Sequence, residues 1–193
     1  MSRRRALVMI VLLAAAGLGT YPVILLLRRG MLSRRLVSHR EIIRRWSSVY
    51  GLPSELVEAV VSVESAGKAD AVSPKNARGL MQLTENAESD VVQRFRISRK
   101  EGDGRFFDPE YNIMIGTAYL RLMIDRFDGD VYAALAAYNM GPTKLRALLK
   151  ANSDKPPRQV VEESAPKETR LYCRRIFDLT DGRYAALPAR KGG

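Results

Sequence analysis

Two kinds of apolar pattern run along this chain. The first is continuous: residues 6–27, ALVMIVLLAAAGLGTYPVILLL, hold 22 positions without a charge. About 20 apolar residues cross the hydrocarbon core of a bilayer, whereas the core of a secretory signal is usually roughly 7–15. No convincing A-x-A cleavage site follows and no cysteine lies near. The run therefore predicts a single N-terminal membrane anchor rather than a cleaved signal.

The second kind is periodic, with apolar residues three and four apart, the spacing of amphipathic helices. Ser38 reads as an N-cap for HREIIRRWSSVY, whose apolar face is Ile42, Ile43, Trp46 and Val49, and Gly51 stops that helix. Pro53 and Ser54 open SELVEAVVSVE, in which Leu56, Val60 and Glu64 fall four apart. Gly67, Asp70, Ser73 and Pro74 then predict a loop over 67–78, where Asn76 tolerates a left-handed backbone. Gly79-Leu80-Met81-Gln82 reads as the start of the next helical run. Residues 88–106 carry no clear pattern beyond a loop at EGDG, 101–104. Asp108-Pro109-Glu110 combines a cap, a proline and a first-turn acid, and opens a helix apolar around most of its circumference. Gly129-Asp130 separates it from VYAALAAYNMG, and Pro142 starts KLRALLKAN. Lys155-Pro156-Pro157-Arg158 reads as a loop, Glu168 to Leu179 as a final helix, and the last dozen residues as frayed. No strand signal has any strength, so the fold class is all-α. The predicted organisation is an anchor over 1–29, a basic tether over 30–37, one helical domain over 38–182 and a flexible tail over 183–193.

Charge changes this picture only modestly. The formal net charge is +11, but Arg3, Arg4, Arg5, Arg28 and Arg29 flank the apolar run and leave +6 for the rest. A basic surface suits nucleic acid, anionic lipid or an acidic wall polymer. No nucleic-acid motif and no basic stripe interleaved with aromatics is present, so no nucleic-acid partner is expected. Cys173 and His39 are each alone. They exclude an internal disulfide and give no metal-ligand spacing, so neither a metal nor a cofactor is expected.

The chemistry concentrates at Glu64. Its carboxylate lies on the apolar stripe, in the last turn, where unpaired carbonyls carry the negative end of the helix dipole. Burial and dipole both disfavour the ionised form, which would suit a general acid. Taken alone, a glutamate at a helix end is more commonly a solvated surface residue.

Glu64 does not stand alone. ES at 64–65, AVSPKNARGLMQL at 71–83, AYNMGP at 137–142 and ETRLY at 168–172 follow in one order. Together they resemble the catalytic domain of the family 1 lytic transglycosylases, of the soluble-lytic-transglycosylase type, over about residues 40–180. The resemblance implies a goose-lysozyme-like helical fold and cleavage of the β-1,4 bond between N-acetylmuramic acid and N-acetylglucosamine. One glutamate, here Glu64, serves as acid and then base. The sugar's own 6-hydroxyl attacks C1 with help from the N-acetyl group, which gives a 1,6-anhydro product. Ser73, Gln82, Tyr138 and Asn139 match substrate-contacting positions, and Glu168 matches more weakly. Ser65 either holds the helix end or is a simple polar terminus, and Met81 either packs or walls the site. Tyr119 and Tyr172 suit groove or core equally. Asn76 stands where the family generally has glycine, and Leu83-Thr84-Glu85-Asn86-Ala87 replaces a proline-containing stretch.

The resemblance implies a peptidoglycan strand as partner, with the domain anchored in the inner membrane on its periplasmic or outer face, and is compatible with a place in a cell-wall or secretion complex. Arg28, Arg29, Arg34, Arg35, Arg40, Arg44 and Arg45 just after the apolar run argue for the opposite orientation by the positive-inside rule. Two alternatives stay open. One is a hydrolytic muramidase, because acids occur at 85, 88 and 90. The other is a catalytically silent wall-binding module.

Overall fold

The computed structural model describes residues 35–190, and the predicted anchor over 6–27 lies outside them. No described helix is long and apolar enough to cross a membrane. The described residues form eight α-helices and one 3-10 turn. They are α1 (35–50), α2 (Ser54–Ser65), α3 (Glu85–Phe95), the 3-10 turn (Asp103–Phe107), α4 (Pro109–Arg126), α5 (Val131–Met140), α6 (Pro142–Lys150), α7 (Pro157–Ser164) and α8 (Lys167–Leu179). Only isolated β-bridges occur among them, as the all-α reading expects.

The core is built on α4. Asp108 caps it by accepting from the Glu110 and Tyr111 amides, and Pro109 occupies the first helical position. Ile113, Ile115, Ala118, Leu120, Met123 and Ile124 are fully buried. Burying each large aliphatic side chain contributes about 1.5–3 kcal/mol, so the helix with residues buried on nearly every side is the one its neighbours surround. α5 packs on it, made of small residues that permit close approach, and α3 and the 3-10 turn cover its other flanks. α8 packs on both α5 and α2. That contact brings the start of α8 to the end of α2.

Several elements differ from the sequence reading. Ser38 is not an N-cap: the helix already runs through residue 35, and the Ser38 hydroxyl donates to the Arg35 carbonyl within it. The tether over 30–37 therefore ends inside α1. Gly79 to Gln82 do not begin a helix. They form a tight loop closed by reciprocal bonds between Arg78 and Leu83, both 2.9 Å, and the helix starts only at Glu85, capped by Thr84. Most of α3 lies in the stretch 88–106 that carries no clear pattern, and α7 lies where no helix is expected. In α3 the polar Glu88 is fully buried, because Arg105 and Tyr111 bond to it. Pro156 and Pro157 are the cap and first residue of α7 rather than loop. Residues 183–190 are no frayed tail. Leu187 donates to the Gly129 carbonyl, Ala185 accepts from Val131, and the buried Arg121 donates to the Pro188 carbonyl at 3.1 Å.

Candidate active site

α2 delivers Glu64 to the floor of a groove. The helix ends there because Ala66 takes a left-handed φ of +53° and Gly67 one of +72°. The groove has a volume of about 850 Å³ and is lined by the loop after α2, the first turns of α3, the α5–α6 junction and the start of α8. Part of Glu64 opens to it, while protein surrounds the carboxyl group. Burial pushes the Glu64 pKa from 4.5 up to about 7; the Tyr172 hydroxyl opposes part of that rise and the negative charge of Glu168 adds to it. A carboxyl group poised near neutrality can hold a proton and then release it.

The second wall is the loop 78–83, which a distant side chain holds. Asn112 of α4, fully buried, accepts from the Met81 amide at 2.8 Å and donates to the carbonyls of Arg78 and Phe106 at 3.0 and 2.8 Å. Gly79 sits against this amide with a φ of +78°, and a Cβ there would stand 2.1 Å from the Phe106 carbonyl oxygen. Gln82, at a left-handed φ of +47°, turns its side chain into the groove wall and donates to the carbonyls of Ala71 and Gly79. Tyr138 closes the floor: its hydroxyl donates to the Met81 carbonyl at 2.8 Å and its ring packs on Tyr119 with centroids 5.2 Å apart.

The transglycosylase SLT domain family matches residues 41–161, well over half of the chain. The chain belongs to this family. It is 31% identical to the soluble lytic murein transglycosylase of Escherichia coli K12, over 73% of this chain and 22% of that one. It is 32% identical to the membrane-bound lytic murein transglycosylase C of Photorhabdus laumondii, over 70% of this chain and 40% of that one. An inactive Glu-to-Gln variant of lytic transglycosylase Slt from Pseudomonas aeruginosa is similar in structure. Its TM-score is 0.66 at 30% identity, over 78% of this chain and 25% of that one. The chain thus spans about a fifth of the soluble relative's length.

The SLT fold brings Glu64, Ser73, Gln82, Tyr138, Asn139 and Glu168 to one groove. Ser73 accepts from the Lys75 and Ala77 amides and so shapes the loop, while Asn139 accepts from the Thr169 hydroxyl at 2.8 Å and ties α5 to α8. Two named residues stand elsewhere. Ser65 turns into the helix end, where its hydroxyl donates to the Val61 carbonyl and accepts from Gly67. Met81 is wholly buried with its sulfur against Gly116, and it reaches the site through its carbonyl alone. The acids at 85 and 88 are committed to Arg105. Asp90 lines the groove but is paired with Arg126 at 2.8 Å.

Tyr172 is, with the groove-lining Tyr119, one of two residues whose place the sequence left open. It stands one turn after Glu168 on α8, buried, and its hydroxyl lacks a completed hydrogen bond although it lies near enough to Glu64 to favour the carboxylate. Such a bond tightens when the acid ionises. Changing Tyr172 to phenylalanine is expected to keep the melting temperature within a few degrees, since no formed bond is lost. It should move the alkaline limb of activity upward and lower kcat. An unmoved pH profile would make Tyr172 a packing residue only.

Proposed function

We propose that this SLT domain cleaves the β-1,4 bond between N-acetylmuramic acid and N-acetylglucosamine in peptidoglycan and leaves a 1,6-anhydromuramoyl end, with Glu64 as its sole general acid and base. The observation that carries this reading is one carboxyl group, raised to about 7, on the floor of a groove whose other carboxylates face cations. In the first step protonated Glu64 gives its proton to the glycosidic oxygen. The bond from that oxygen to C1 breaks, and the muramic N-acetyl oxygen closes on C1. Glu64, now a carboxylate and stabilised by the Tyr172 hydroxyl, takes the proton of the 6-hydroxyl as O6 attacks C1, and the bond from C1 to the N-acetyl oxygen breaks to restore the acetamide. The acid is restored and no water is consumed. The substrate positions assigned to Ser73, Gln82, Tyr138, Asn139 and Glu168 fit a groove that offers amide, hydroxyl and aromatic surfaces to a sugar. Asp90 is the groove acid a hydrolase would need, and its bond to Arg126 weighs against that role. The inactive Glu-to-Gln Pseudomonas relative supports a single essential glutamate.

The run at 6–27 is proposed to hold the domain at the inner membrane with its groove toward the wall. Arg40 and Arg45 lie in the folded α1 and pair with Glu58 and Glu110, so they cross as part of a domain rather than as loop charges. The membrane-bound name of the Photorhabdus relative agrees with this placement.

The test is digestion of purified murein sacculi by the full chain, read by mass spectrometry. Muropeptides lighter by one water than hydrolysed ones, with no reducing muramic end, are the expected product. Reducing ends would replace this reading with hydrolysis, and intact murein would replace it with a binding module.

A further inference from the structure

The Lys75 ammonium reaches 3.2 and 3.5 Å from the two carboxylate oxygens of Glu168. This pair joins the loop after α2 to the first turn of α8, 93 residues apart, and both partners line the groove beside Glu64. It is exposed, with side chains 77% and 69% accessible. An exposed pair of long side chains is weak and exchanges partners readily. No other group among the described residues bonds the Lys75 ammonium, and the loop beneath it is held independently, by Ser73 accepting from the Lys75 and Ala77 amides. The side chain can therefore swing without disturbing its loop. A second cation, Lys144 at the start of α6, lines the same groove and has no ion pair among the described residues. The groove's acids are differently placed: Asp90 is held by Arg126, and Glu64 carries a proton over much of the working range. Mobile positive charge is therefore left on a groove that, on the function proposed above, receives a strand whose muramic residues bear carboxylates.

We propose that Lys75 is a specificity-determining residue that exchanges the Glu168 carboxylate for a carboxylate on the muramic acid substituent of the substrate, with Lys144 as a second cationic contact. Two sources share this chemistry. In native strands the carboxylates belong to the stem peptide; in strands stripped by an amidase the lactyl group carries one. The ion pair is the resting state of the site, and substrate carboxylate replaces it one for one, so charge stays balanced on Lys75. Freed Glu168 then faces the groove beside Glu64.

The test measures binding rather than turnover, in the full chain carrying Glu64→Gln. Dissociation constants are compared with and without Lys75→Met for three tetrasaccharides: peptide-bearing, amidase-stripped and the neutral N-acetylglucosamine oligomer. The expected result is that Lys75→Met weakens a carboxylate-bearing ligand by up to about fivefold more than the neutral one, the range of an exposed ion pair. Lys75→Glu should widen that gap. Weakening of the peptide-bearing ligand assigns the contact to the stem, and weakening of the stripped one alone assigns it to the lactyl group. Equal effects on all three ligands, or none, would overturn the proposal. Absence of anhydro ends in the murein digest would instead overturn the proposed function and leave these affinities readable.

Discussion

Glutamine at position 64 is expected to lower turnover on murein by on the order of 1,000-fold while making the protein more heat-stable at alkaline pH. The first effect follows because glutamine cannot give up and take back a proton, and the other acids nearby are held by cations: Glu85 and Glu88 by Arg105, Asp90 by Arg126 and, in the resting site, Glu168 by Lys75. The second follows from linkage. The Glu64 pKa is about 7 in the folded chain against an ordinary 4.5, so between those values the folded state binds more protons than the unfolded one. Stability from this group is complete below about 4.5 and is lost as pH rises through about 7. Each pKa unit corresponds to about 1.4 kcal/mol, and the opening of Glu64 to groove water reduces the total to roughly 2 kcal/mol. Glutamine never ionises and escapes that loss. The variant should melt about 4–8 °C above the native protein at pH 8 and level with it at pH 4.5. A variant that still released anhydro ends, or whose advantage did not depend on pH, would remove Glu64 from the acid's role. On the proposed function, the native protein's activity should fall as pH rises through about 7, with the same carboxyl group responsible.

What the sequence makes legible here depends on whether the deciding contact is local. The end of α2 is local: Gly67 and the polar loop after it stop the helix, so Glu64 could be placed in its last turn. The Asp108-Pro109 opening of α4 is local too, and its nearly continuous apolar surface marks it as central. The left-handed backbone expected at Asn76 occurs, with φ of +59°. Gly79 to Gln82 fail for the opposite reason. Leucine, methionine and glutamine are good helix formers, but the Met81 amide bonds a side chain 31 residues ahead, which propensity cannot register. α3 was hidden because a buried Glu88 occupies what should be an apolar position, and its compensating Arg105 lies 17 residues away. The segment 183–190 read as a tail because what holds it, Arg121 and the Gly129 backbone, belongs to the far side of the chain. The same limit applies to Tyr172, whose meeting with Glu64 requires α8 to lie against α2. That Tyr138 lines the groove was legible only through the family resemblance, because periodicity alone would have assigned it to the core.

The largest effect on folding is expected at Asn112, a residue outside every motif. Its amide makes three bonds in a fully buried position, one accepted from Met81 and two donated to Arg78 and Phe106. Alanine would leave one buried N–H without an acceptor and two buried carbonyls without this donor, each costing about 1–3 kcal/mol. Partial relaxation of the loop reduces the sum to about 4 kcal/mol, a fall in melting temperature of roughly 10 °C for a domain of this size. Aspartate offers a sharper comparison. It keeps the oxygen that accepts from Met81 but turns a second oxygen toward the two carbonyls, so it should be no better than alanine despite its near-identical shape. Activity should fall further than stability alone explains. The Met81 carbonyl that positions Tyr138 and the left-handed turn at Gln82 both belong to the loop that Asn112 holds. The check is a pair of measurements on each variant well below its melting temperature: thermal unfolding, and anhydro-end release from murein at fixed folded fraction. If Asn112→Asp melts with the native protein, the amide donors carry no weight and the loop must be held by Gly79 and its own backbone bonds. If it melts low yet retains full activity per folded molecule, then loop 78–83 supports the fold without positioning the groove.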